Sequence, residues 1–259
     1  MTNHSLGDAL RVQLFDCPVD ILTMAETVDI ATRAMRERRP THHVAINVAK
    51  LVNMRDQPDL KSDVAHADIA GIDGMGIILA LKLKRVPVPE RVPGVDLMQK
   101  LLAVCAQQGF RPYFLGAEPS IVAAAAAVAQ QRYPNLQFAG IRDGYFKPAD
   151  EPGIVAAIRA SGADCLFVGM PTPAKERFLA AHRAELGVAF IMGVGGSFDI
   201  LAGKTRRAPE SLQRSGLEWL YRIYQEPRRM WWRYARTNLI FARLLLASFL
   251  RPGSAGASL

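Results

Sequence analysis

The stretch Cys165–Gly196, CLFVGMPTPAKERFLAAHRAELGVAFIMGVGG, decides the fold. It opens on an apolar run, Cys165–Val168, breaks at Gly169 and Pro171, follows a helical pattern over Ala174–Glu185, and returns to an apolar run at Ala189–Val194. Runs without polar alternation read as strands buried on both faces. A helix of about 10–15 residues between two such runs is the crossover that parallel strands require. The same unit repeats outward, with strands expected at His43–Asn47, Ala67–Ile72, Arg111–Leu115 and Leu136–Gly140. Amphipathic helices are expected at Met24–Arg38, Val95–Gln108, Ser120–Arg132 and Gly153–Ser161. The alternation predicts an α/β fold, a mainly parallel sheet with helices on both faces. The alanine run Ala123–Ala127 falls inside one helical pattern and would let that helix lie close to the sheet.

The chain has 259 residues, half of them apolar, which suits one large domain or one domain with an appendage. Met1–Leu10 has no basic start followed by an apolar stretch, so no secretory signal is expected. Leu239–Leu250, the longest apolar candidate, carries Arg243 and falls well short of the roughly 18 residues that a membrane span needs. Cys17, Cys105 and Cys165 have no metal-ligand or redox spacing, and Cys105 and Cys165, in apolar runs, read as buried thiols, features that point to the cytoplasm. Past Ala202 the strand rhythm stops and a basic helical segment rich in Trp and Tyr takes over. Between Gly203 and Arg251 eleven basic residues face three acidic ones, a surplus equal to the whole net charge of +8. The expected boundary lies near residue 200, with an α/β core over 1–200 and a basic helical appendage over 201–259.

In parallel sheets ligands bind outside the carboxyl ends of the strands. Several expected strand ends carry glycine or acid: Asn47, Ile72-Asp73-Gly74-Met75-Gly76, Leu115-Gly116, Asp143-Gly144, Gly169, and Gly193–Asp199. Glycines there let backbone N–H groups approach a phosphate. Phe198 stands where a dinucleotide fingerprint needs its third glycine, and no P-loop lysine motif occurs, so nicotinamide and nucleotide-hydrolase chemistries lose weight. No two aspartates are separated by one residue, so the metal-binding pair of many nucleotide-sugar enzymes is missing. Cationic side chains would then hold the phosphates, and the arginine-rich tail could supply them. Asp73, between an apolar strand and a glycine turn, suits a general base; capping the next helix is the competing role. Arg91 reads equally as a solvated loop charge.

Ile72–Gly76 together with Pro89-Glu90-Arg91-Val92-Pro93-Gly94-Val95-Asp96-Leu97 resembles the opening motifs of the WecG/TagA/CpsF glycosyltransferase family (glycosyltransferase family 26). Tyr133-Pro134, Asp143-Gly144-Tyr145-Phe146, Gly193–Asp199, Arg207-Ala208-Pro209, Gly216–Arg222 and Glu226–Arg229 follow in the family's order, over roughly residues 15–240. The resemblance implies a Rossmann-like core and an inverting transferase that uses a UDP-sugar donor and a polyprenyl-diphosphate-linked sugar acceptor, with no cofactor and no required metal. Carried over, Asp73 is the base that deprotonates the acceptor hydroxyl, and Asn47 and Arg91 line the sugar and diphosphate pocket. Gly116, Gly195, Gly196 and Asp199 hold the nucleotide, while Arg222 and Arg229 neutralise diphosphate. Lys175 and Glu176 fall at the family's sugar-site motif, where Lys175 replaces the usual Gln, and Ala45 replaces the Thr of its Thr-x-Asn. These departures look more like the exopolysaccharide branch, similar to the xanthan-type glucosyltransferase, than like the N-acetylmannosamine transferases.

In the tail, Trp219, Tyr221, Tyr224, Trp231, Trp232 and Tyr234 interleave with arginines ahead of the Leu239–Leu250 stretch. That is the composition of a segment lying at headgroup depth on the inner face of the cell membrane. The alternatives are a helix pair packed on the core with a solvated basic face, or a contact between copies in a homo-oligomer. Nucleic acid is disfavoured because the neutral remainder of the chain offers no continuing basic track. A non-catalytic membrane scaffold with a degenerate nucleotide pocket is the second class of function that the altered sugar-site residues keep open.

Overall fold

The computed structural model describes residues 10–250, apart from the side chains of Arg214 and Arg229. The described residues begin with an antiparallel hairpin, β1 (Leu10–Leu14) and β2 (Cys17–Ile21). Its turn residues Phe15 and Asp16 both have positive φ, the backbone that suits a two-residue hairpin turn. Asp20 of β2 is buried; it accepts two bonds from Arg11, at 2.6 and 2.8 Å, and one from the Ala70 N–H at 2.7 Å. The hairpin is thereby fastened to the strand that contains Ala70.

Helix α1 (Met24–Glu37) opens on a reciprocal cap between Thr23 and Glu26 and stops where Arg38 turns left-handed. Then follow β3 (Thr41–Ile46), α2 (Val48–Asn53), α3 (Pro58–Ala65), β4 (Ile69–Ile72), α4 (Met75–Leu83) and α5 (Gly94–Gln108). The second half runs β5 (Pro112–Gly116), α6 (Pro119–Arg132), β6 (Gly140–Arg142), α7 (Glu151–Ser161), β7 (Cys165–Gly169), α8 (Ala174–His182), β8 (Phe190–Gly193) and α9 (Ser197–Leu201). Three helices close the described residues: α10 (Glu210–Arg214), α11 (Glu218–Gln225) and α12 (Pro227–Leu250).

Strands β3 to β8 form one six-stranded sheet in the order β4-β3-β8-β7-β5-β6, every pair parallel. Alternate residues serve opposite faces. Phe114, Phe167 and Phe190 pack with α1, α5 and α6 on one side, whereas Leu115, Leu166 and Ile191 pack with α7 and α8 on the other. A further cluster joins the hairpin to α2, α3, α4 and the ends of β3 and β4. Phe241 of α12 is buried in that cluster, edge-on to Phe15 at 6.1 Å. Arg236 reaches Asp56 at 3.0 Å, and Trp219 of α11 lies 6.0 Å from Tyr234 of α12.

The expected mixed α/β architecture and parallel sheet are found, with one shifted strand. The run expected to pair at Leu136–Gly140 pairs instead over Gly140–Arg142. Leu136 is buried on the face covered by α1, α5 and α6, and Phe138 packs edge-on to Phe114 at 4.7 Å, so the apolar residues before β6 fill the core as a loop.

Candidate active site

The strands are parallel, so their carboxyl ends lie along a single edge of the sheet. At the end of β3, Asn47 caps α2: its Oδ1 accepts the Lys50 N–H at 3.0 Å, which leaves its Nδ2 to donate to Asp73 Oδ2 at 3.4 Å. Asp73 follows β4 and does not cap α4, whose N-cap is Gly74 with no side-chain bond. Its Oδ1 accepts the Gly94 N–H, the first residue of α5, at 3.0 Å. Gly74 packs closely here: a Cβ would sit 3.0 Å from the Asn47 Cβ and crowd it. Ala45 lies beneath Gly94, at van der Waals distance from where a Cβ would be.

A cleft of about 860 Å³ opens beside this corner, walled by Met24, Val28 and Met75 and charged by Arg91, Asp96 and Lys100. Arg91 pairs with Glu218 of α11. Arg207 grips both oxygens of Asp96 and lies 3.7 Å from the other oxygen of Glu218. The hydrogen bonds to Asp96 hold the Arg207 guanidinium even above its usual pKa. Arg222 stands one turn beyond Glu218 on the same face of α11 and is exposed. The side chain of Arg229 lies outside the described residues.

Glycine backbones crowd the tips of β5 and β7. Gly116 has φ of 127°, and a Cβ on it would lie 2.5 Å from the Gly169 carbonyl carbon. The Gly144 N–H donates to the Ala117 carbonyl at 2.9 Å, and the Ala117 N–H donates to the Gly169 carbonyl at 3.1 Å. Gly195 and Gly196 are exposed ahead of α9, and Asp199 in that helix faces Lys204 at 3.8 Å. This end of the edge presents bare backbone, as an approaching phosphate requires.

Lys175 and Glu176 sit behind the edge. The Lys175 stem runs over Gly193, where a Cβ would meet its Cδ at 2.9 Å, and its Nζ bonds Glu176 Oε1 at 2.7 Å. Thr172 donates to the same Oε1 at 3.1 Å, while the buried Oε2 has no partner. Burial opposes the Glu176 charge, but Lys175 and Lys50 outweigh it and keep its pKa below the usual value. Lys50, which sequence reasoning missed, is pushed down to about 7 by burial and by Lys175, against the pull of Glu176, Asp63 and Asp73. Burial also drives His43 down to about 3 and His42 well below its usual value.

The sheet edge therefore gathers Asn47, Asp73, Gly116, Gly195, Gly196 and Asp199, with Arg91 on the cleft and Lys175 and Glu176 underneath. The profile of the Glycosyl transferase WecG/TagA/CpsF family matches residues 12–255, which takes in all but the first two residues of the hairpin, every tip of the six-stranded sheet and the helices α10 to α12. The chain belongs to the WecG/TagA/CpsF family of glycosyl transferases.

Proposed function

We propose that the protein transfers a sugar, glucose in the reading favoured by Ala45 and Lys175, from a UDP-sugar to a polyprenyl-diphosphate-linked saccharide during exopolysaccharide synthesis. The observation that carries the proposal is the Asp73 carboxylate: it stands at a strand tip, does not cap the helix α4 that follows it, and is held in place by the N–H of Gly94 at the start of α5 and by Asn47. The acceptor hydroxyl oxygen attacks the anomeric carbon from the face opposite UDP, so the configuration inverts. As that bond forms, the bond from the anomeric carbon to the diphosphate oxygen breaks, and Asp73 takes the hydroxyl proton. The bare backbone at Gly116, Gly195 and Gly196 receives the nucleotide phosphates, with Asp199 beside it. Arg91, Arg207 and Arg222 supply the positive charge that would otherwise fall to a metal.

In this reading the segment 201–259 works as a basic helical appendage to the core over 1–200. It rests on the inner face of the cell membrane and closes the cleft through Glu218 and Arg207. No helix among the described residues is long and apolar enough to cross a membrane, which suits surface contact. A panel of UDP-sugars assayed against polyprenyl-diphosphate-linked glucose and N-acetylglucosamine tests the activity. The expected result is transfer from UDP-glucose; transfer from UDP-N-acetylmannosamine alone would correct the donor. Asp73→Asn should keep UDP affinity while turnover falls by about 10²–10⁴. UDP binding without transfer from any donor would instead mark a scaffold.

A further inference from the structure

Helix α4 is unusual in being apolar almost all round, MGIILALKL, yet it leaves Leu79 and Leu83 half-exposed at 55 and 46 %. Met75, Leu79 and Leu83 are spaced i, i+4, i+8 and so form one row along the helix. The row starts in the wall of the cleft, because Met75 lines it, and runs outward into solvent. The first turn of α4 shares an apolar cluster with α12: Ile77 belongs to the cluster that holds Phe241, Met75 packs against it, and a Cβ added to Gly76 would come within 3.6 Å of that ring.

On α12 the exposed Leu239, Leu246, Phe249 and Leu250 fall within an arc of about 100° at 3.6 residues per turn, an arc that also contains Trp231 and Trp232. Of the fourteen large hydrophobic side chains exposed among the described residues, eight belong to these two helices. Isolated exposed leucines need no explanation, but a concentration of this kind marks a contact surface. Neither helix contains an acidic residue, and Lys82, Arg85, Arg233 and Arg243 are exposed beside the apolar rows. A symmetric contact with a second copy would bring those cations together with no acid on either helix to answer them. An anionic bilayer satisfies both the apolar rows and the basic flanks.

We infer that Leu79 and Leu83 of α4 insert into an anionic bilayer beside α12, making the docking surface a pair of helices that continues into the wall of the cleft. The inference rests on the membrane-docking reading above. The row begins at Met75, two residues after Asp73, and Leu79 lies four residues further on, roughly 6 Å along the helical rise, so seating α4 keeps the carboxylate close to the bilayer surface. A lipid-borne diphosphate occupies the same depth.

Cys17, Cys105 and Cys165 are buried, so an environment-sensitive fluorophore can be directed to a single new thiol in the full-length protein. Leu83→Cys, Leu246→Cys on α12 and Gln130→Cys on the exposed face of α6 give three labelled proteins. With phosphatidylcholine vesicles containing phosphatidylglycerol, the labels at 83 and 246 should shift to the blue and be quenched by spin-labelled lipid, whereas the label at 130 should not. Leu79→Glu with Leu83→Glu should lower the vesicle-bound fraction about tenfold, given the transfer free energy of exposed leucine, with circular dichroism and melting temperature unchanged. A silent label at 83 beside a shifted label at 246 would overturn the inference and leave the membrane reading standing. Silence at both would overturn both. A blue shift at 83 without vesicles, growing with protein concentration, would assign the face to a second copy and also overturn the inference.

Discussion

Lys50 shows how the site's cost is distributed among single residues. Its amine is held down at about 7 against an ordinary 10.5, first by burial and then by Lys175. The unfolded chain therefore binds more protons than the folded one between those values, and stability rises with pH across that interval. Lys50→Met removes the group from both states. Its melting temperature should exceed that of the parent by a wide margin near about pH 6 and by a smaller one near about pH 9. A margin independent of pH would show that the amine is not suppressed in the fold. His43 acts on the acid side: its pKa of about 3 lies below the ordinary 6.5, so the unfolded chain takes up its proton first and stability declines as pH falls between them.

At the scale of elements, the tips of β5 and β7 approach so closely that glycine is required. Gly116→Ala places a methyl group 2.5 Å from the Gly169 carbonyl carbon at a φ of 127°, and should lower stability by about 1–3 kcal/mol while weakening UDP binding. Gly153→Ala in α7 meets nothing within 4 Å and should raise stability by about 0.5–1 kcal/mol with UDP binding intact. Thermal melts and calorimetry on the two variants check the contrast. These tips were legible in the sequence because glycine after an apolar run is a local signal, as were Asn47 and Asp73. Helix α4 was not, since its apolar residues surround the axis and give no one-sided period. The β1–β2 hairpin was hidden because Phe15-Asp16 lacks the Asn-Gly signature of its turn. The pairs Arg91–Glu218 and Arg207–Asp96 span 127 and 111 residues, and no spacing rule reaches that far.

Across the whole molecule, the C-terminal helices are joined to the rest through both core and cleft. Ile240, Phe241, Leu244 and Leu245 cover the cluster shared by the hairpin, α2 and α4. A chain ended after Ala202 should keep the far-ultraviolet signature of the parallel sheet, melt several degrees lower and lose transfer to a lipid acceptor. Full transfer by that truncated chain would free the C-terminal segment of any catalytic part. The meeting of Arg91 and Arg207 on the one carboxylate of Glu218 has a consequence for ligand entry. Arg91 is held by Glu218, and Arg207 is held chiefly by Asp96, so in the proposed reading an incoming diphosphate would displace these tethered carboxylates, and affinity becomes an exchange of one negative partner for another. Such an exchange responds less to ionic strength than capture by bare cations would, and each eviction would unlatch α11 from the cleft.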